Sequence, residues 1–131
     1  MPPLSSDRAF ELAKGFHDLS VEVGNFRFRE GDDLSASERR RLEDLQFDLL
    51  NASTQFNALS LAMALDDLDA ALGRIGQATA RMKKAIKKLE SAQKVIRIAT
   101  AAVTLGAAIV STNPAAIIGA LNGVVDVLAP D

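Results

Sequence analysis

The sequence predicts an all-α protein: an N-terminal helical hairpin, a long heptad-patterned central helix and a short apolar C-terminal helical hairpin, in an elongated bundle or coiled coil. Three observations predict it. Apolar residues recur at alternating spacings of three and four along most of the chain, the signature of helices that pack on helices. Aromatics make up only 5% of the residues, all six are Phe, and Trp and Tyr are absent, a composition of helices rather than sheets. Four Pro and eight Gly leave little material for turns, so the helices should be few and long. At 131 residues the chain is expected to be one domain, 1–131.

The first helix is expected over 6–29. Ser5 or Ser6 can cap it, and Asp7 suits the positive end of the helix dipole. Its apolar seam is Ala9, Leu12, Phe16, Leu19, Val23 and Phe26, with Glu11, Lys14, Asp18 and Glu22 off it. Gly31-Asp32-Asp33 should end it through a left-handed residue at Gly31. Ser35-Ala36-Ser37-Glu38 then reads as a capping box, opening a seam of Leu42, Leu45, Leu49, Ala52, Phe56, Leu59 and Met63. A short polar loop between two such helices predicts an antiparallel hairpin.

A further seam starts at Leu61. It runs Leu65, Leu68, Leu72, Ile75, Thr79, Met82, Ile86, Leu89, Gln93 and Ile96, and continues through Thr100, Val103, Ala107 and Val110. It is offset by two residues from its predecessor, about 200° around a helix. Either the helix breaks near residue 60 or one helix over 35–111 changes partners. No Gly or Pro punctuates 51–69, which favours continuity. A rod of that length would be about 115 Å long. Leu65, Leu68, Leu72, Ile75, Met82, Ile86, Leu89 and Ile96 would then need a partner, and self-association is the simplest cover. A break near 60 would instead allow a monomeric four-helix bundle. Ser111-Thr112-Asn113-Pro114 is the clearest turn, Asn113 an N-cap and Pro114 a first helical residue. The last, apolar helix is expected over 114–128.

From Ile98 to Val125 no residue is charged, a run of 28. The turn divides it into two short helices, neither long enough to span a bilayer alone without thinning it. Small residues such as Ala107, Ala108, Ala115, Ala116 and Gly119 permit close helix approach. The run must be hidden in protein or in lipid. It follows a basic stretch: from Arg81 to Arg97 there are seven bases and one acid, whereas from Asp7 to Asp69 acids outnumber bases by fourteen to seven. Arg81, Lys83, Lys84, Lys87 and Lys88 can form a solvated face or meet anionic lipid. In the lipid reading Leu105, Ile109, Ile117, Ile118 and Leu121 enter the bilayer. Nucleic acid is disfavoured, because no aromatic lies in the basic stretch to stack bases and the overall charge is acidic.

Little points to catalysis. The chain has no Cys and one His, which removes thiolate chemistry and histidine metal sites; no cofactor is implied. Asp66-Asp67-Leu68-Asp69 lacks calcium-loop spacing and reads as a solvated face or helix start. Gly73-Arg74-Ile75-Gly76 is no phosphate loop and reads as a place of close helix approach. His17 falls at an exposed position without a nucleophile near it in sequence. The N-terminal residues carry no signal-peptide pattern, so synthesis in the cytoplasm is expected, followed by membrane association or export by a signal-less route.

A long heptad helix leading into an Ala/Gly-rich apolar hairpin, over Leu61 to Leu128, resembles the helical α-pore-forming toxins of the cytolysin and haemolysin-BL type. It is also similar to the membrane-perturbing helical-bundle domains of immune effectors. The resemblance implies an apolar element tucked against the bundle in the soluble form and released on assembly; it carries no individual residue role. Two expectations follow. One is a membrane-active, toxin-like or effector-like protein with a conditionally inserting hairpin. The other is a soluble helical-bundle interaction protein, such as an adaptor, chaperone or immunity-type factor, whose hairpin is core. Either is expected to work as a homo-oligomer or with a helical protein partner.

Overall fold

The computed structural model describes residues 6–58, 68–111 and 113–129. They form five α-helices: α1 (Ser6–Arg29), α2 (Ala36–Ala58), α3 (Leu68–Lys88), α4 (Ala92–Ser111) and α5 (Pro114–Leu128), with a 3-10 turn at Gly31–Asp33. No strand occurs among the described residues. The protein is an all-α helical bundle with the two terminal hairpins the sequence predicts.

α1 and α2 pack antiparallel along their seams. Leu12, Phe16, Leu19, Val23 and Phe26 of α1 and Leu42, Leu45, Leu49 and Phe56 of α2 are buried. Phe16 and Phe56 meet edge to face at 5.0 Å between ring centroids, a favoured aromatic geometry. Ser53 donates its hydroxyl to the Ala13 carbonyl at 2.7 Å, and Arg27 reaches Gln46 and Glu43 at 2.7 and 2.6 Å. The capping box closes in both directions: Ser35 N–H donates to Glu38 Oε1 at 3.0 Å, and Glu38 N–H donates to Ser35 Oγ at 3.1 Å. The end of α1 departs from expectation. Gly31 is not left-handed; the helix tapers instead into the 3-10 turn, through Asp33 N–H to Glu30 O and Leu34 N–H to Gly31 O. Arg39 adds a third bond at this corner, donating to Gly31 O at 2.8 Å.

The single helix expected over 35–111 is not continuous. Residues 89–91 are non-helical between α3 and α4. The expected break near residue 60, with Leu59, Leu61, Met63, Leu65 and Asp66-Asp67, lies outside the described residues. On either side of that gap α2 and α3 run in opposite directions. Lys83 Nζ lies 3.4 Å from Asp18 Oδ2, and Arg29 reaches the end of α3, so α3 runs parallel to α1. Four helices close a ring in the order α1, α2, α4, α3, with α2 and α3 on opposite corners. α5 lies outside it, against α4 and α3.

The interruption at 89–91 is secured from both sides. Arg29 donates to the carbonyls of Ile86 and Leu89 at 3.3 and 3.2 Å, satisfying two acceptors at the negative end of α3 from a neighbouring helix. Ser91 then opens α4: its carbonyl accepts from Val95 N–H at 3.1 Å and its hydroxyl from Lys94 N–H at 3.4 Å. Three non-helical residues reset the helical phase, so the expected seam does not carry across. The buried face of α4 is Val95, Ile98, Ala99, Ala102, Leu105, Gly106, Ala108 and Ile109. Ile96, Thr100 and Val103 of the expected seam are only half-buried and Ala107 is exposed. The actual face stands about 100° away, one residue's rotation.

Leu72, Ile75, Met82 and Ile86 of the expected self-association seam are buried inside this one chain, and Leu89 and Ile96 pack at its edge. Pairing two copies through them would require the bundle to open. The side chain of Leu68 is outside the described residues, as is Leu65. Among the described residues Gly73 and Gly76 are not points of close approach, since a Cβ at either would meet none of them within 4 Å.

Candidate functional site: the apolar hairpin and its basic base

The neutral run folds as the α4–α5 hairpin. Asn113 caps α5 through Oδ1, which accepts from Ala115 and Ala116 N–H at 3.0 and 3.2 Å, with Pro114 in the first turn. One side of the hairpin is core: Ile98, Ala102, Leu105 and Ile109 from α4, with Ile117, Leu121 and Val124 from α5, are buried. Gly106 is the point of closest approach. A Cβ there would stand 3.0 Å from Phe16 Cε2 and 3.2 Å from the Ala52 Cβ, so any larger residue would press on α1 and α2 where α4 seats against them.

The other side is open. Thr100, Ala101, Thr104 and Ala107 of α4 and Ala116, Gly119 and Gly123 of α5 line an apolar groove of about 750 Å³, with Arg97 at one end. Ile118 and Val125 are exposed on α5. Gly119 and Gly123 have open space where a Cβ would be, so none of the described residues uses the access they give. By length and composition α4 is apolar enough to cross a membrane, while 44% of its apolar span is buried in the bundle.

The end of α3, the start of α4 and the end of α5 meet at the base of the hairpin, around a cleft lined by Leu89, Lys94, Arg97, Ile98 and Val127. The neutral run therefore extends from this charged base to a tip at Asn113. Arg81, Lys84, Lys87 and Lys88 are exposed and Lys83 is half-buried. Lys83 is engaged by Asp18, which also meets Lys14 at 3.5 Å; of the five basic residues singled out, it is the one turned inward. Of the expected lipid-facing apolar residues only Ile118 is exposed; Leu105, Ile109, Ile117 and Leu121 lie in the core. Their apolarity was legible, but for Leu105 and Ile109 the phase that decides burial depended on the break at 89–91.

Among the described residues no group of three His, Asp or Glu could hold a metal. His17 stands exposed, 4.0 Å from Asp18. Phe10, Phe28 and Phe47 were not singled out by sequence, yet all three are exposed. They fall off the predicted seams, which was the available signal.

No family model matches the sequence, and neither the curated proteins nor the solved structures contain a match to it.

Proposed function

We propose that this protein is membrane-active, toxin-like or effector-like, and that its α4–α5 hairpin is stored on the bundle and inserts conditionally. The observation that carries the reading is the arrangement of the hairpin: a neutral two-helix element with its charged base at one end of the bundle, its tip at the other, and α5 outside the four-helix ring. Arg81, Lys84, Lys87 and Lys88 beside that base supply attraction to anionic headgroups, about 1 kcal/mol per basic residue near the surface. Release is not spontaneous. Ile98, Leu105, Ile109, Ile117, Leu121 and Val124 would together lose roughly 10 kcal/mol of burial, comparable to the whole stability of a domain. Lipid, or an assembly that covers the exposed core, has to offset that loss.

A second reading is favoured by Gly106: a helix fitted this closely against Phe16 is built as permanent core. On that reading the protein is a soluble, non-enzymatic interaction bundle, and the open groove of α4 and α5 is its contact surface.

Leakage from anionic liposomes separates the two. The membrane reading expects leakage that falls as salt rises, drops several-fold in Ile118→Asp/Val125→Asp, and is accompanied by loss of amide protection over 98–109. Ile118 and Val125 suit the test because both are exposed; Asp at buried Leu105 or Ile117 would unfold the bundle instead. No vesicle association at low salt, with the hairpin still protected, would remove the membrane reading and leave the interaction bundle.

A further inference from the structure

Half of the phenylalanines of this protein face solvent. Phe10 is 62% exposed, Phe28 92% and Phe47 62%, joined by Val21 at 42% and Leu50 at 43%. Exposed aromatics in such number mark a contact surface more often than exposed aliphatics do, and these five are not scattered.

On α1, Phe10, His17, Val21, Gly24 and Phe28 are spaced seven, four, three and four residues apart, so they lie on one line along the helix. On α2, Glu43, Phe47, Leu50 and Thr54 form a second line by the same rule. The two lines adjoin. A Cβ at Gly24 would touch Gln46, and Glu43 holds Arg27 at 2.6 Å. The result is an apolar strip on the outer face of the α1–α2 hairpin, on the far side of the ring from α5.

We infer that this strip binds a second copy of the chain, in an antiparallel two-fold arrangement that pairs Phe10 of each copy with Phe28 of the other. The strip is symmetric about its own middle. Ser53 is level with Ala13, and Gln46 and Glu43 with Arg27. Phe47 and Leu50 therefore stand beside the middle of α1, roughly residues 18–23 at 1.5 Å per residue, halfway between Phe10 and Phe28. The strip reads aromatic, apolar centre, aromatic in both directions, which is the self-complementary pattern an isologous interface needs. A two-fold axis through the centre brings Phe47 and Leu50 of both copies together.

The area agrees. At about 200 Å² per phenylalanine, the three rings alone present roughly 400 Å². With Val21 and Leu50, two copies bring together on the order of 1,000 Å² of apolar surface. Specific interfaces begin near about 1,200 Å² in total, a size reached once the polar rim is included. This surface is independent of the seam through Leu72 and Met82, which is spent inside the bundle, and it leaves the α4–α5 hairpin uncovered.

Sedimentation equilibrium of the full chain tests the inference. The wild type is expected to sediment as a dimer at about 100 µM. Phe28→Glu and Phe47→Glu should each weaken it at least tenfold, with helical content unchanged, and with melting unchanged at dilutions where the chain is monomeric, because both rings are exposed in the single copy. The chain has no native Cys, so orientation can be read directly. Mixing Phe10→Cys with Phe28→Cys protein should give a mixed disulfide in preference to either self-linked product. A monomeric wild type overturns the proposal, as does a dimer that survives both Glu variants or efficient self-linking of Phe10→Cys. Phe47-dependent vesicle binding by a monomer also overturns it, and would assign the strip to lipid.

Discussion

Gly106, Gly119 and Gly123 belong to one apolar run, and nothing in their sequence neighbourhoods separates them. In the bundle they do opposite things. Gly106 lets α4 approach a fully buried ring that is itself pinned edge-to-face on Phe56. Gly119 and Gly123 face open space and carry only the entropic penalty of a helical glycine. Gly106→Val is therefore expected to destabilise the protein by about 2 kcal/mol through overpacking, and Gly119→Ala and Gly123→Ala to stabilise it by about 0.5–1 kcal/mol each. Urea unfolding of the three variants checks this; a neutral Gly106→Val would mean that α4 sits less deeply than described. The six phenylalanines make the same point. Phe16, Phe26 and Phe56 lie on predicted seams and are buried, while Phe10, Phe28 and Phe47 lie off them and are exposed.

At the scale of the element, the starts of α2 and α5 were legible and the junction between α3 and α4 was not. Side-chain oxygens that cap a helix N-terminus are written locally in the sequence, as at Ser35-x-x-Glu38 and Asn113-Pro114. The end of α3 is secured from another helix, by Arg29, and no local pattern could announce that. The capping box also has a pH signature. Glu38 accepts from the Ser35 backbone N–H, from Gln93 and from the Ser35 hydroxyl, which together hold its carboxyl below the usual glutamate range. A depressed folded-state value means that this stabilisation is fully present above about pH 4.5, the ordinary value, and is lost as pH falls through the folded one. Wild type should accordingly exceed Glu38→Gln in melting temperature by a constant margin from neutral pH down to that point, and the margin should shrink below it. A margin that stays fixed down to pH 3 would show that Glu38 does not titrate in this way.

At the scale of the whole molecule, the ring order α1, α2, α4, α3 is the feature to test, because it decides which seams are spent internally. A Cβ built at Gly15 lies 3.7 Å from the Thr79 Cβ, close to the mean of about 3.8 Å in disulfides. The double variant Gly15→Cys/Thr79→Cys should oxidise without distortion in this Cys-free chain. By closing a loop of about 64 residues it should stabilise the fold by about 4 kcal/mol, raising Tm by roughly 15 °C over the reduced form. A continuous rod over 35–111 would hold these positions apart, so failure to oxidise would argue against α3 lying beside α1.

The sequence by itself determined the helical class, the seams of α1 and α2, two N-caps, and the existence of a neutral hairpin that has to be sheltered. These follow from spacing and composition, which act over a turn or two of helix. Only the tertiary structure decided that α3 returns along α1 and that α4 turns its Leu105 and Ile109 face inward. It also decided that Lys83 is held by Asp18, and that the seam of Leu72 and Met82 is covered within one chain. Each of those outcomes depends on the phase and direction a helix takes after a break. Phase is set by how many residues stay non-helical, and direction by which distant surfaces can be buried together. Neither quantity is encoded in any one window of the chain.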